Sequence, residues 1–173
     1  MAAPEISAST TVNASASKVW QRVTDLSAMG QRSPQCKKMI LLPRGSSSSN
    51  SSAADAGSAA GTAPTPGTVT INFNRQGLLW WPTWAVVTEV EPEKLFEFKI
   101  PLNGTRWRFE LTPATDGTQT ILTEKRLIPD GNTSLVSRVL VAAVLGGEEK
   151  FEASLQEGIQ QTIRALAREA ENF

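Results

Sequence analysis

Apolar and polar positions alternate with a period of two in several short runs and with a period near 3.6 in two longer ones. Ile6 to Val12 alternates and is rich in β-branched residues, which predicts a strand. Ala16 to Thr24 carries Val19, Trp20 and Val23 on one helical face, and Asn13 and Ser15 are available to cap it. A short second helix is expected over Leu26 to Gln31, before Ser33 and Pro34. Cys36 to Leu42 reads as a strand. Five more are predicted at hairpin spacing: Thr68 to Arg75, Thr83 to Glu91, Leu95 to Ile100, Thr105 to Thr112 and Gln119 to Leu127. Phe96, Phe98 and Ile100 share a face opposite Glu97 and Lys99. Trp107, Phe109 and Leu111 share one opposite Arg106, Arg108 and Glu110. Val69, Ile71 and Phe73 alternate with Thr70 and Asn72, and Arg75 continues the Ile71 and Phe73 face. The pattern is that of an antiparallel sheet, apolar on one side and solvated on the other.

The C-terminal part switches to helical periodicity. Ser134 to Leu145 predicts a short helix that breaks at Gly146 and Gly147. Glu148 to Glu171 predicts a long one, with Phe151, Leu155, Ile159, Ile163 and Leu166 on a single stripe. Gly158 lies beside that stripe; a mid-helix glycine costs about 1 kcal/mol relative to alanine, so it is either accidental or marks a close approach. Residues 44–66 are almost entirely Ser, Ala, Gly, Thr and Pro, which predicts a flexible surface loop. A one-sided sheet and a one-sided helix bury their apolar faces on each other, so residues 1–173 are expected to form one α+β domain.

Composition narrows the chemistry. The 173 residues hold 17 basic and 17 acidic side chains, no histidine, no tyrosine and one cysteine, Cys36. Zero net charge gives no global electrostatic reason to expect nucleic acid or an anionic membrane as main partner. Without histidine there is no Ser-His-Asp triad, no Cys-His pair and no His-ligated metal. No cofactor and no metal site are implied. The longest apolar run, Val139 to Leu145, is too short to span a bilayer, so no stable membrane insertion is expected. The N-terminus has neither a basic start nor an apolar core of the kind a signal peptide needs, and a cytoplasmic location is expected.

A strongly curved sheet gripping a helix usually leaves space between the two, and an apolar cavity with a few polar groups is the common form of a small-molecule site. The same aromatic stripes could equally fill a closed core. Here the chain resembles a known group. Val12 to Asp25 (VNASASKVWQRVTD) is similar to the opening motif of the helix-grip, START-like (SRPBCC) superfamily, in its bacterial polyketide cyclase/dehydrase and lipid-transport branch. Ser33 and Pro34 follow as they often do there. So do Asn74, Arg75 and Gly77; Trp81, Thr83, Val87 and Thr88; Glu91, Pro92, Phe96 and Phe98; Trp107, Phe109, Leu111 and Pro113; Asp116 to Thr118; and Thr123 with Glu124. The resemblance spans nearly the whole chain except the Ser-rich loop and residues 134–147. It implies a helix-grip fold: a curved antiparallel sheet of about seven strands wrapped on the long C-terminal helix, with two short helices after the first strand.

That architecture points to Ile71, Phe73, Arg75, Trp84, Phe96, Phe98, Trp107 and Phe109 from the sheet, with Leu155 and Ile159 from the helix, as the walls of a cavity for a small hydrophobic or aromatic molecule. Arg75 is either the group that orients a ligand's polar end or a solvated residue past the strand end. Trp80, Trp81 and Trp84 either line the cavity mouth or pack at a rim. Glu124 and Arg126 share a strand face with Leu122 and read as an exposed ion pair worth under about 1 kcal/mol. Asp25 reads as a local cap. Cys36 reads as a small buried hydrophobe. Three functions follow as expectations: binding of a lipid or polyketide-like molecule, an aromatase/cyclase-like enzyme, or a protein-interaction regulator with the cavity closed. A buried acid in the cavity would favour the second.

Overall fold

The computed structural model describes residues 5–43, 63–128 and 148–173. The predicted loop falls mostly, and the predicted helix over Ser134 to Leu145 entirely, outside these residues. Seven strands form one antiparallel sheet: β1 (Glu5–Val12), β2 (Cys36–Leu41), β3 (Val69–Gln76), β4 (Leu79–Glu91), β5 (Leu95–Ile100), β6 (Thr105–Pro113) and β7 (Thr120–Leu127). Their order is β1-β7-β6-β5-β4-β3-β2, so consecutive hairpins build the middle and β1 closes onto β7. Helix α1 (Ala16–Thr24), a 3-10 turn (Leu26–Ala28) and α2 (Met29–Arg32) lie between β1 and β2, and α3 (Glu148–Glu171) ends the fold.

The α3 stripe packs on β1, β7 and α1, with Leu155, Ile159, Ile163 and Leu166 buried as its period requires. Under it Val12, Val19, Val23, Leu26, Phe96 and Leu122 form the core, and Trp20 meets Phe96 edge-on at 6.4 Å between ring centres. Arg32 is buried and ties three segments together. Its Nε and Nη2 donate to the Glu169 carboxylate, and its Nη1 donates to the carbonyls of Arg22 and Asp25. Asp25 caps the 3-10 turn as expected, accepting from Ser27 Oγ at 2.6 Å and from the Ala28 N–H. Ser15 occupies the N-cap of α1 without a side-chain cap bond, and Asn13 bonds Glu171 instead.

Strand β4 starts four residues before the expected Thr83 and contains Pro82. Proline interrupts a ladder only where its missing N–H is needed. Pairing of β4 with β5 begins at Val86, so residues 79–85 have β3 alone as neighbour and the proline is accommodated.

Phase matters more than boundaries in β3. The alternation is as expected, but the polar set faces inward: Thr70 and Asn72 are buried, while Phe73 is 39% exposed. The register shows why. Val87 pairs with Phe98, and Ala85, Thr83 and Trp81 then share the inner face, opposite Thr70, Asn72 and Asn74. Helix α3 packs on the β1 and β7 side of the sheet, so the inner face of β3 looks into open space rather than onto apolar helix.

Candidate functional site

That open space is a cavity of about 140 Å³ between α2, the inner face of the sheet and α3. Aromatic and aliphatic walls come from Trp81, Phe98, Trp107 and Phe109 on the strands, Met29 and Met39 beside them, and Leu155 on α3. Besides Ser33, Gln35, Asn103, Thr105 and Thr162, polar groups interrupt these walls at two places. One is a hydrogen-bonded set on β3 and β4: Thr70 Oγ1 donates to Asn72 Oδ1 at 2.8 Å, and Asn74 Nδ2 donates to Thr83 Oγ1 at 3.0 Å. The other is Glu124 with Arg126, both on the inner face of β7.

The structure places the expected wall residues in three settings: cavity, packed core and the outer face of the sheet. Phe98, Trp107, Phe109 and Leu155 line the cavity. Phe96 and Ile159 sit in the packed core and do not reach it. Ile71, Phe73, Arg75 and Trp84 lie on the opposite face of the sheet, because the inward set of β3 and β4 is the other one. Arg75 is exposed: its Nε donates to the Gly77 carbonyl at 2.8 Å and its guanidinium lies over the Trp80 ring. It borders a separate polar groove that shares only Gln35 with the cavity. Of the three neighbouring tryptophans only Trp81 turns inward.

Glu124 and Arg126 overturn the expectation of an exposed pair. They are 4% and 5% exposed. Glu124 Oε2 and Arg126 Nη1 are buried with no hydrogen-bond partner in the protein. Leaving such atoms unmade costs about 1–3 kcal/mol each, more for charged groups, so they are where a ligand or water atom belongs. Burial pushes the Glu124 carboxyl well above the usual carboxylate range and favours the neutral acid. Burial also lowers the Arg126 guanidinium, an effect opposed by the charge of Glu152 on α3. A guanidinium stays charged even so. With its carboxyl pushed up by burial, Glu124 can offer an O–H beside the Arg126 guanidinium N–H, two donors among aromatic walls. The signal in the sequence was the alternation itself: Leu122, Glu124 and Arg126 share a face, and Leu122 is plainly core.

Cys36 lines the cavity with its thiol pushed up to about 11, by burial above all. It is no nucleophile at neutral pH. No cluster of three or more metal-binding side chains occurs among the described residues. No described helix is long and apolar enough to cross a membrane.

The outer face of the sheet holds a second buried glutamate. Glu97 points away from the cavity, and it too is buried, but every charge is met. Its carboxylate accepts from Arg106 Nη1 at 2.7 Å, Arg108 Nε at 2.8 Å and Thr88 Oγ1 at 2.8 Å. Despite burial, these bonds hold its carboxyl below the usual glutamate range. A buried glutamate on this sheet can thus be fully satisfied; Glu124 is not.

Solved structures of the same architecture are numerous. An aromatase/cyclase, ZhuI, from a Streptomyces species is 17% identical with a TM-score of 0.64, over 97% of this chain and 93% of that one. A polyketide cyclase-like protein from Corynebacterium glutamicum is 20% identical with a TM-score of 0.58, over 95% and 89%. The di-domain aromatase/cyclase StfQ of the steffimycin pathway is 11% identical with a TM-score of 0.60, and this chain, 98% covered, spans half of it. These likenesses establish the helix-grip fold. Among curated proteins no relative matches in sequence. The family described as polyketide cyclase/dehydrase and lipid transport matches residues 3–171, nearly the whole chain. The sequence match over nearly the whole chain and the shared fold agree, and the chain belongs to that family, of the SRPBCC type.

Proposed function

We propose that the protein binds a small aromatic or otherwise hydrophobic molecule in the cavity between sheet and α3, by a ring against Trp107 and Phe109 and an acceptor oxygen against Glu124 and Arg126. One observation carries this: two buried, unpartnered polar atoms, Glu124 Oε2 and Arg126 Nη1, in a cavity walled by aromatic and aliphatic side chains and by polar ones such as Asn72 and Asn74. A cavity of about 140 Å³ has room for one ring, since an apolar cavity of roughly 150 Å³ accepts benzene. A larger molecule would place one ring here and extend outward. The paired donors favour a ketone, quinone or phenolate oxygen over a hydrocarbon.

A calorimetric titration tests the pairing of ring and oxygen. Acetophenone is expected to bind at least roughly tenfold more tightly than ethylbenzene, which has the same shape class without the oxygen. Arg126→Met should erase most of that difference. Equal affinities for the two compounds in the wild type would remove the polar half of the reading.

A cyclase-like catalyst is the second reading, and the neutral Glu124 favours it. With a carbonyl oxygen held by a carboxylic acid and a guanidinium, an enol carbon of the same molecule would add to that carbonyl carbon in an aldol-type ring closure; the oxygen takes the Glu124 proton as its charge builds, and the Glu124 carboxylate takes the proton the enol oxygen releases. Turnover of a poly-β-ketone thioester mimic, lost in Glu124→Gln while the mimic still binds, would support it. Identical product profiles with and without the protein would reject it.

A further inference from the structure

Nine large apolar side chains of the described residues are exposed, and six of them fall on one surface: Ile40, Leu42, Phe73, Leu78, Trp80 and Trp84. The inverted phase of β3 puts them there. In cross-strand rows, Ile40 pairs with Ile71 and Ile71 with Trp84; Lys38 pairs with Phe73 and Phe73 with Pro82; Arg75 pairs with Trp80. Leu78 stands at the tip of the β3–β4 hairpin, 93% exposed. Gly77 makes that tip possible, with φ of 58° and open space around it. Folded monomers rarely leave so contiguous an apolar patch without use.

Charge identifies the occupant. Strands β2 and β3 and residues 77–88 contain Lys37, Lys38 and Arg75 and no acidic residue, in a chain whose net charge is zero. Lys99 of β5 extends the same face opposite Val86. Tryptophan and leucine beside lysine and arginine are the side chains that settle at a lipid–water interface with anionic headgroups. A second copy using the same face would set Lys38, Arg75 and Lys99 against themselves, a like-charge cost. Leu102, also exposed, sits in the β5–β6 turn next to Asn103, which lines the cavity; Trp81, beside Trp80, lines it too.

We infer that the outer face of β2–β4, with the Leu78 hairpin tip, docks on an anionic phospholipid surface, bringing the cavity beside a membrane from which an apolar molecule could be taken up. The inference is independent of what the cavity binds, since the ligand titrations above contain no lipid.

Co-sedimentation with vesicles tests it, using phosphatidylcholine alone and phosphatidylcholine mixed with phosphatidylglycerol. The full chain is expected to sediment with the mixed vesicles, less so as salt rises, with a blue shift of tryptophan emission. Leu78→Ser with Trp80→Ser should weaken partitioning at least roughly tenfold. Lys38→Gln and Arg75→Gln should each weaken it roughly fivefold. Ile121→Ser, an exposed apolar position on β7 away from the patch, should leave it unchanged. Equal or absent binding to the two vesicle types overturns the inference. So does a dimer on sizing that the Leu78 and Trp80 variant dissolves, since a second copy would then be the occupant.

Discussion

Glu97 and Glu124 are both buried glutamates on one sheet, and they predict opposite pH behaviour. Glu97 lies below its ordinary pKa, held there by Thr88, Arg106 and Arg108 against burial. Its contribution is present above the unfolded value of about 4.3 and is lost as pH falls through the folded value. Glu97→Ala should cost about 2 kcal/mol at neutral pH, less than the roughly 3–5 kcal/mol of a fully buried pair because Arg106 and Arg108 are partly exposed. Glu124 lies above its ordinary pKa. The folded state holds its proton where the unfolded chain releases it, so its contribution is greatest below about pH 4.3 and declines as pH rises toward the folded value. Glu124→Gln should therefore gain stability over the wild type from pH 4.5 upward, measured by urea unfolding. A difference independent of pH would mean that Glu124 is charged in the folded protein. This pair was half legible in the sequence. Alternation put Glu124 and Arg126 on the face of Leu122, but a Glu and an Arg two residues apart usually pair in solvent, and nothing local distinguishes that case from burial beside a cavity.

Element boundaries and element phase were not equally accessible. Most of the strands and the long helix follow from periodicity because each buries one face along much of its length; β2, where Met39 alone is buried, is an exception. The phase of β3 does not, because its apolar residues are the outward ones. That phase was nevertheless implied by pairing: with Phe98 inward, the register carries Val87, Ala85 and Thr83 inward and so Thr70, Asn72 and Asn74 as well. Glycines supply two tests at this scale. A Cβ on Gly30 would lie 2.2 Å from the Lys37 carbonyl oxygen, so α2 packs on β2 only without a side chain there. Gly30→Ala should cost about 2 kcal/mol. Gly158 differs: its added Cβ would meet only Pro34 Cγ at 3.4 Å, an ordinary contact. Gly158→Ala should gain up to about 1 kcal/mol from helix propensity, read as a raised melting temperature. A loss there would show that α3 and the Pro34 segment tolerate no added bulk.

Over the whole molecule, the helix grips one half of the sheet and leaves the other half to a cavity inside and an apolar face outside. Both follow from α3 lying over β1 and β7 rather than over β3. The resemblance carried by Val12 to Asp25 and by the Trp81 segment identified the family correctly, and the family fixes the architecture. It leaves the ligand open, since one fold hosts many chemistries. The central claim is that the small-molecule site is the inward cavity. Two-dimensional NMR of protein labelled at methionine methyls and tryptophan indoles, titrated with acetophenone, tests it most directly. Met29, Met39, Trp81 and Trp107 line the cavity, whereas Trp80 and Trp84 face outward. The account predicts saturable shifts at the first four and none at the last two. Shifts confined to Trp80 and Trp84, or no shifts at all, would contradict it.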